Sequence, residues 1–219
     1  HLHDPPEVDA VGVRPLDLWS HGRAWRAIDK PLPIFRKDLS AGRLPPPMTT
    51  VRDIRAKAGE EPITMLTAYD AVTASLVDTA GVDIILVGDS MGNAVLGYDS
   101  TLPVTVDEVA SRTGAVARGT EDALVVADMP FLSVGVDRAD AVEHCGRMLK
   151  EENAHAVKIE SGPHTVSLTE RLADLGIPVM AHVGLTPQQV HQTGYARQGV
   201  EKERAREIVD LAREHEEAG

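Results

Sequence analysis

The sequence predicts an α/β protein built on a parallel sheet, and three observations predict it. After Met48, short β-branched runs alternate with longer amphipathic stretches. The runs are nearly continuously apolar rather than alternating, which suits strands buried on both faces of a parallel sheet. Charged or polar residues recur just past the C-terminal end of successive runs. Repeated βα units of this kind form an α/β barrel or a doubly wound sheet. No Gly-x-Gly-x-x-Gly follows the first run, so a dinucleotide-binding fold loses its main support.

The predicted strands are 63–68, 82–87, 123–127, 156–159 and 177–181. The predicted helices are 71–80, 106–118, 138–152, 165–175 and 200–217. Thr105 and Asp137 stand where helix N-caps belong. Gly81, Gly119 and Gly176 stand where C-terminal caps belong. Thr186 followed by Pro187 reads as another helix start. Before Met48 no period of 2 or 3.6 is sustained. Residues 1–47 carry Pro5, Pro6, Pro15, Pro31, Pro33 and the triplet Pro45-Pro46-Pro47, and read as a proline-rich N-terminal extension. Residues 48–219 form the expected α/β domain, a partial (β/α) barrel.

Composition narrows the class. A chain of 219 residues with 42% hydrophobic and only 3% aromatic residues must build its core from Val, Leu, Ile, Ala and Met. No apolar run approaches a membrane span, and residues 1–10 do not read as a signal peptide. The net charge of −12 argues against nucleic acid and anionic membranes as partners. It fits a solvated surface, or a high-salt cytoplasm in which solubility would persist in molar salt. The single cysteine, Cys145, excludes an internal disulfide and fits a reducing cytoplasm. It lies in an amphipathic stretch and reads as a buried structural thiol.

In βα proteins the working residues lie past the C-terminal ends of strands. Here those positions hold Tyr69 and Asp70, then Asp89 and Ser90, then Asp128, then Lys158 and Glu160, then His182. Three carboxylates on one rim suggest Mg2+, a hard cation that takes oxygen ligands. Asp89 and Asp128 are the natural direct ligands, with Glu160 direct or through water. No cysteine cluster or His-Glu-x-x-His motif supports zinc. Lys158 and His182 are placed to hold a substrate carboxylate or enolate oxygen. Each residue also has a plainer reading. A strand-terminal aspartate is often a helix N-cap, Lys158 and Glu160 could form an ion pair, Ser90 could cap a turn, and a lone histidine is often only hydrogen-bonded structure. The loop 88–105 holds three glycines among apolar residues, and its length suits a segment that covers substrate.

Several segments carry a family resemblance. They are Val87-Gly88-Asp89-Ser90-Met91-Gly92, Gly97-Tyr98-Asp99-Ser100-Thr101-Leu102-Pro103-Val104-Thr105, Ile63-Thr64-Met65-Leu66-Thr67-Ala68-Tyr69-Asp70, Ala127-Asp128-Met129-Pro130-Phe131, Val157-Lys158-Ile159-Glu160, and His182-Val183-Gly184-Leu185-Thr186-Pro187-Gln188. In this order the chain resembles ketopantoate hydroxymethyltransferases from about Thr49 onward.

The resemblance implies a (β/α)8 TIM-type barrel in a homo-oligomer. It implies Mg2+ and 5,10-methylenetetrahydrofolate or a related reduced pterin. The implied reaction transfers a hydroxymethyl group to the keto acid 3-methyl-2-oxobutanoate through a Mg2+-chelated enolate, giving ketopantoate for coenzyme A synthesis. Asp89, Asp128 and Glu160 match the family's metal site. Asp89, Ser90, Asp128, Lys158 and His182 match positions at the substrate. The family's general-base glutamate is expected beyond Gly219, and five βα units rather than eight are expected. This makes the sequence an expected fragment, with open strand edges and a tendency to associate. A Mg2+-dependent keto-acid aldol lyase of the phosphoenolpyruvate mutase/isocitrate lyase type, or a non-catalytic remnant, are the alternative readings.

Overall fold

A computed structural model describes residues 48–219, and the predicted extension over 1–47 lies outside the described residues. The strands are β1 (Met65–Thr67), β2 (Ile84–Val87), β3 (Leu124–Asp128), β4 (Ala156–Glu160) and β5 (Val179–His182). They form one sheet in the order β1-β2-β3-β4-β5, with every neighbouring pair parallel. A doubly wound sheet reverses its strand order at a switch point. The order here never reverses, so these are five successive βα units of a (β/α) barrel.

The helices are α1 (Val51–Lys57), α2 (Ala71–Thr79), α3 (Met91–Ala94), α4 (Val106–Gly119), α5 (Arg138–Lys150), α6 (Val166–Asp174), α7 (Val190–Thr193) and α8 (Lys202–Glu217). Short 3-10 turns at Pro163–Thr165 and Pro187–Gln189 precede α6 and α7. The predicted caps on α4 and α5 form. Thr105 and Glu108 close a reciprocal capping box, and Asp137 accepts from the amides of Ala139 and Asp140. Gly81 and Gly176 follow α2 and α6 with φ of +79°, the left-handed conformation that glycine takes without strain.

Gly119 differs from expectation. It is the last residue of α4 rather than its cap, and Thr120 is the C-cap. Its lack of a side chain serves packing instead, because a Cβ there would run into the backbone of Ala71 where α4 crosses the start of α2. Thr186 also differs: it precedes a 3-10 turn and makes no side-chain capping bond.

Strand residues alternate between two environments. Ile85, Val87 and Val125 pack outward in one helix-facing cluster, and Ala127, Val157 and Ile159 in another. Ile84, Leu124, Val126 and Ala156 face the opposite side, with Leu86 and Met180 packed beside them. Val51 and Ile54 of α1 pack against that inner face, closing its N-terminal end. Helix α1 is absent from the elements expected from sequence; Thr50 and Asp53 form the capping box that starts it.

Continuous burial holds for β3 and most of β2 and β4. It fails for β1, where Met65 and Leu66 are 43% and 51% exposed, and for β5, whose four residues are all only half-buried. β1 pairs on one side only among the described residues, and so lacks a second neighbour to cover it. The segment 88–105 is ordered. It contains α3, buries Met91 and Val104, and is tied by the Tyr98 amide to the Gly92 carbonyl at 2.8 Å. Among the described residues no helix is long and apolar enough to cross a membrane.

Candidate active site at the C-terminal rim

The inner-face parity of the strands continues past their apolar parts. Asp128 follows Leu124 and Val126, Lys158 and Glu160 follow Ala156, and His182 follows Met180, each at a spacing of two. Strand register then makes Asp128 the partner of Lys158 and Glu160 the partner of His182. Four chemically active side chains thus collect at one end of the barrel interior, where the apolar lining stops.

Asp128 is 2% exposed. Its Oδ1 lies 2.8 Å from the Lys158 ammonium. That ion pair is the one side-chain contact of Oδ1 among the described residues. Its Oδ2 accepts from the Asp89 amide at 3.2 Å. Burial pushes the Asp128 carboxyl up to about 6 despite Lys158, and the neighbouring Asp89 adds to the rise. Burial likewise pushes Glu160 to about 7, opposed by the Gln188 amide and Lys158. Burial, and then the Lys158 charge, hold the His182 imidazole below its ordinary value. His182 Nδ1 is buried without a hydrogen-bond partner.

The plainer readings can now be weighed. Asp70 is a helix cap and nothing more is required of it: it accepts from the amides of Val72 and Thr73 at 2.9 Å. Asp89 and Asp128 cap no helix, since α3 begins after Ser90 and Asp128 lies within β3. Ser90 makes no capping bond, and its hydroxyl meets that of Tyr69 at 3.0 Å. Lys158 pairs with Asp128 rather than with Glu160. Cys145 is buried in α5, with its thiol pushed up to about 12 by burial, so it is no nucleophile at this rim.

Gln188, which by sequence belongs only to a helix start after Pro187, is a site residue in the structure. Its backbone N–H donates to Glu160 Oε1 and Oε2 at 3.1 and 3.0 Å. Its side-chain amide donates to Asp89 Oδ2 and to the Met129 carbonyl, both at 2.9 Å. Pro187 carried a signal for this, because it has no N–H and the amide after it is the first free donor of the turn.

Among the described residues no three His, Cys, Asp or Glu side chains stand ready-made as a metal cage. The donor set nevertheless fits a hard divalent cation. Three carboxylates, Asp89, Asp128 and Glu160, gather at one rim around a single ammonium, that of Lys158, which pairs with Asp128 alone. Mg2+ is commonly held by one or two carboxylates with water and substrate completing its shell.

The sequence profile of ketopantoate hydroxymethyltransferase matches residues 48–219. The chain belongs to the ketopantoate hydroxymethyltransferase family. It is 74% identical over 172 residues to a 3-methyl-2-oxobutanoate hydroxymethyltransferase of Haloarcula marismortui, covering 78% of this chain and 64% of that protein. The chain thus spans less than two thirds of the length of that relative. Among solved structures it resembles phosphoenolpyruvate phosphomutase from Streptomyces platensis subsp. rosaceus, with a TM-score of 0.57, 18% identity, and coverage of 78% of this chain and 61% of that one. A phosphonopyruvate hydrolase in complex with oxalate and Mg++ matches with the same TM-score, at 17% identity and the same coverage. At such identities the likeness shows the barrel fold and nothing about chemistry.

Proposed function

We propose that this chain forms the keto-acid and cation site of a 3-methyl-2-oxobutanoate hydroxymethyltransferase, which transfers a one-carbon unit from a methylene-carrying reduced folate to give ketopantoate. The observation that carries the reading is the buried Asp128–Lys158 pair at the C-terminal rim, beneath Asp89 and Glu160. Family membership and the names of its relatives support the reaction.

Asp89 and Asp128 would hold Mg2+, and Glu160 would serve it directly or through water. A divalent cation there supplies Lewis acidity that makes the C3 hydrogen of a 2-keto acid removable. The chain's own residues bind and orient. Lys158 offers its ammonium to the substrate carboxylate while Asp128 fixes its position. The Ser90 hydroxyl, held by Tyr69, faces the same rim. His182, kept neutral by burial, brings an unpartnered Nδ1 that can bond a substrate oxygen without adding charge. No described residue is assigned the removal of the C3 proton. The working enzyme is proposed to be cytoplasmic, in keeping with its lone buried cysteine, and a homo-oligomer, as the family resemblance implies.

The test is a chimera in which the remaining third of the Haloarcula marismortui relative follows Gly219. Proton NMR with 3-methyl-2-oxobutanoate, 5,10-methylenetetrahydrofolate and Mg2+ is expected to show ketopantoate. Its absence, together with cleavage of oxaloacetate or methylisocitrate, would replace the transferase reading with a lyase.

A further inference from the structure

Gln188 gathers bonds from three different strands. Both hydrogens of its side-chain amide are used, one on Asp89 Oδ2 just past β2 and one on the Met129 carbonyl just past β3. Its backbone N–H is shared between the two oxygens of Glu160 at the end of β4. Gln188 itself lies past β5, in the Pro187–Gln189 turn. One residue therefore ties the rim ends of β2, β3 and β4 to the segment after β5.

We infer that Gln188 is a positioning residue that fixes Asp89 and Glu160 for the divalent cation. The inference rests on the cation site proposed above. Asp89 and Glu160 are like-charged side chains that Gln188 bonds at the same rim. Unbonded, such carboxylates swing apart, and a cation must then order them as it binds. Donors that hold them in place before the cation arrives lower that cost, and loss of such supporting bonds commonly weakens metal affinity by about 10–100-fold. The Met129 carbonyl has a specific part. By accepting one amide hydrogen it turns the Nε2 end of the amide, rather than its oxygen, toward Asp89. Gln188 takes Asp89 Oδ2 only, so the other oxygen is left for the cation.

The test is Mn2+ titration of the full chain followed by electron paramagnetic resonance, for the unsubstituted protein, Gln188→Met and Gln188→Ala. Methionine keeps the length and volume of glutamine and removes the donors. Both variants are expected to raise the Mn2+ Kd by about tenfold or more, while Gln188→Met retains the unsubstituted circular dichroism spectrum. Mn2+ binding by Gln188→Met equal to that of the unsubstituted chain would reduce Gln188 to a space-filling role and overturn the inference alone. No Mn2+ binding by the unsubstituted chain would overturn the cation site on which it rests.

Discussion

Asp128 and Lys158 are register partners across β3 and β4, and their side chains meet at 2.8 Å with both largely removed from water. Breaking a buried ion pair from one side leaves an uncompensated charge and costs about 3–5 kcal/mol. Lys158→Met is therefore expected to destabilise the chain by about that amount at pH 8, as read from urea unfolding. The loss should shrink at pH 5, where Asp128 can take up a proton and become neutral. A loss of equal size at both pH values would show that the pair does not carry the effect.

Asp128 and Glu160 also set a pH dependence. Their folded values, about 6 and about 7, lie above the ordinary carboxylate range because burial disfavours the charged form. The folded state thus binds more protons than the unfolded state between about pH 4 and 7. Their contribution to stability accordingly falls as pH rises through that window and is level above it. Cation binding runs the opposite way, since protons and Mg2+ compete for the same oxygens. Mg2+ affinity is expected to rise between pH 5.5 and 7.5 and then flatten. An affinity that is constant across this range would remove both carboxylates from the cation site.

Gly119 tests the packing of the frame. Gly119→Ala sets a methyl group against the backbone of Ala71, which cannot rotate away as a side chain could. A cost of about 1–3 kcal/mol is expected from this overpacking, measured by thermal or urea unfolding. A neutral or stabilising effect would mean that α2 and α4 are free to move apart.

Much of this was legible in the sequence, for a physical reason. Parallel strands buried on both faces must be apolar runs, so β2, β3 and β4 announce themselves. Side chains two apart share a face, so Lys158 and Glu160 follow from β4 alone. The carboxylates Asp89, Asp128 and Glu160 could be named because they interrupt or end apolar runs where charge is otherwise costly. What was not legible depends on contacts distant in sequence. The partner of Lys158 is set by the register of β3 against β4, which no local pattern encodes. Gln188 reaches Asp89 across 99 positions of sequence. The glycine at 119 looks like a helix cap until α2 is placed beside it. The short helix α1 went unread because only seven residues carry it, although its capping box was present.

The proposed rim site binds a 2-keto acid together with a divalent cation. Isothermal titration of 3-methyl-2-oxobutanoate into the full chain, with and without Mg2+, tests it most directly. Binding is expected to be at least about tenfold tighter with Mg2+ present and to be lost in Asp128→Ala. Keto-acid binding of equal strength with and without Mg2+, or unchanged by Asp128→Ala, would contradict it.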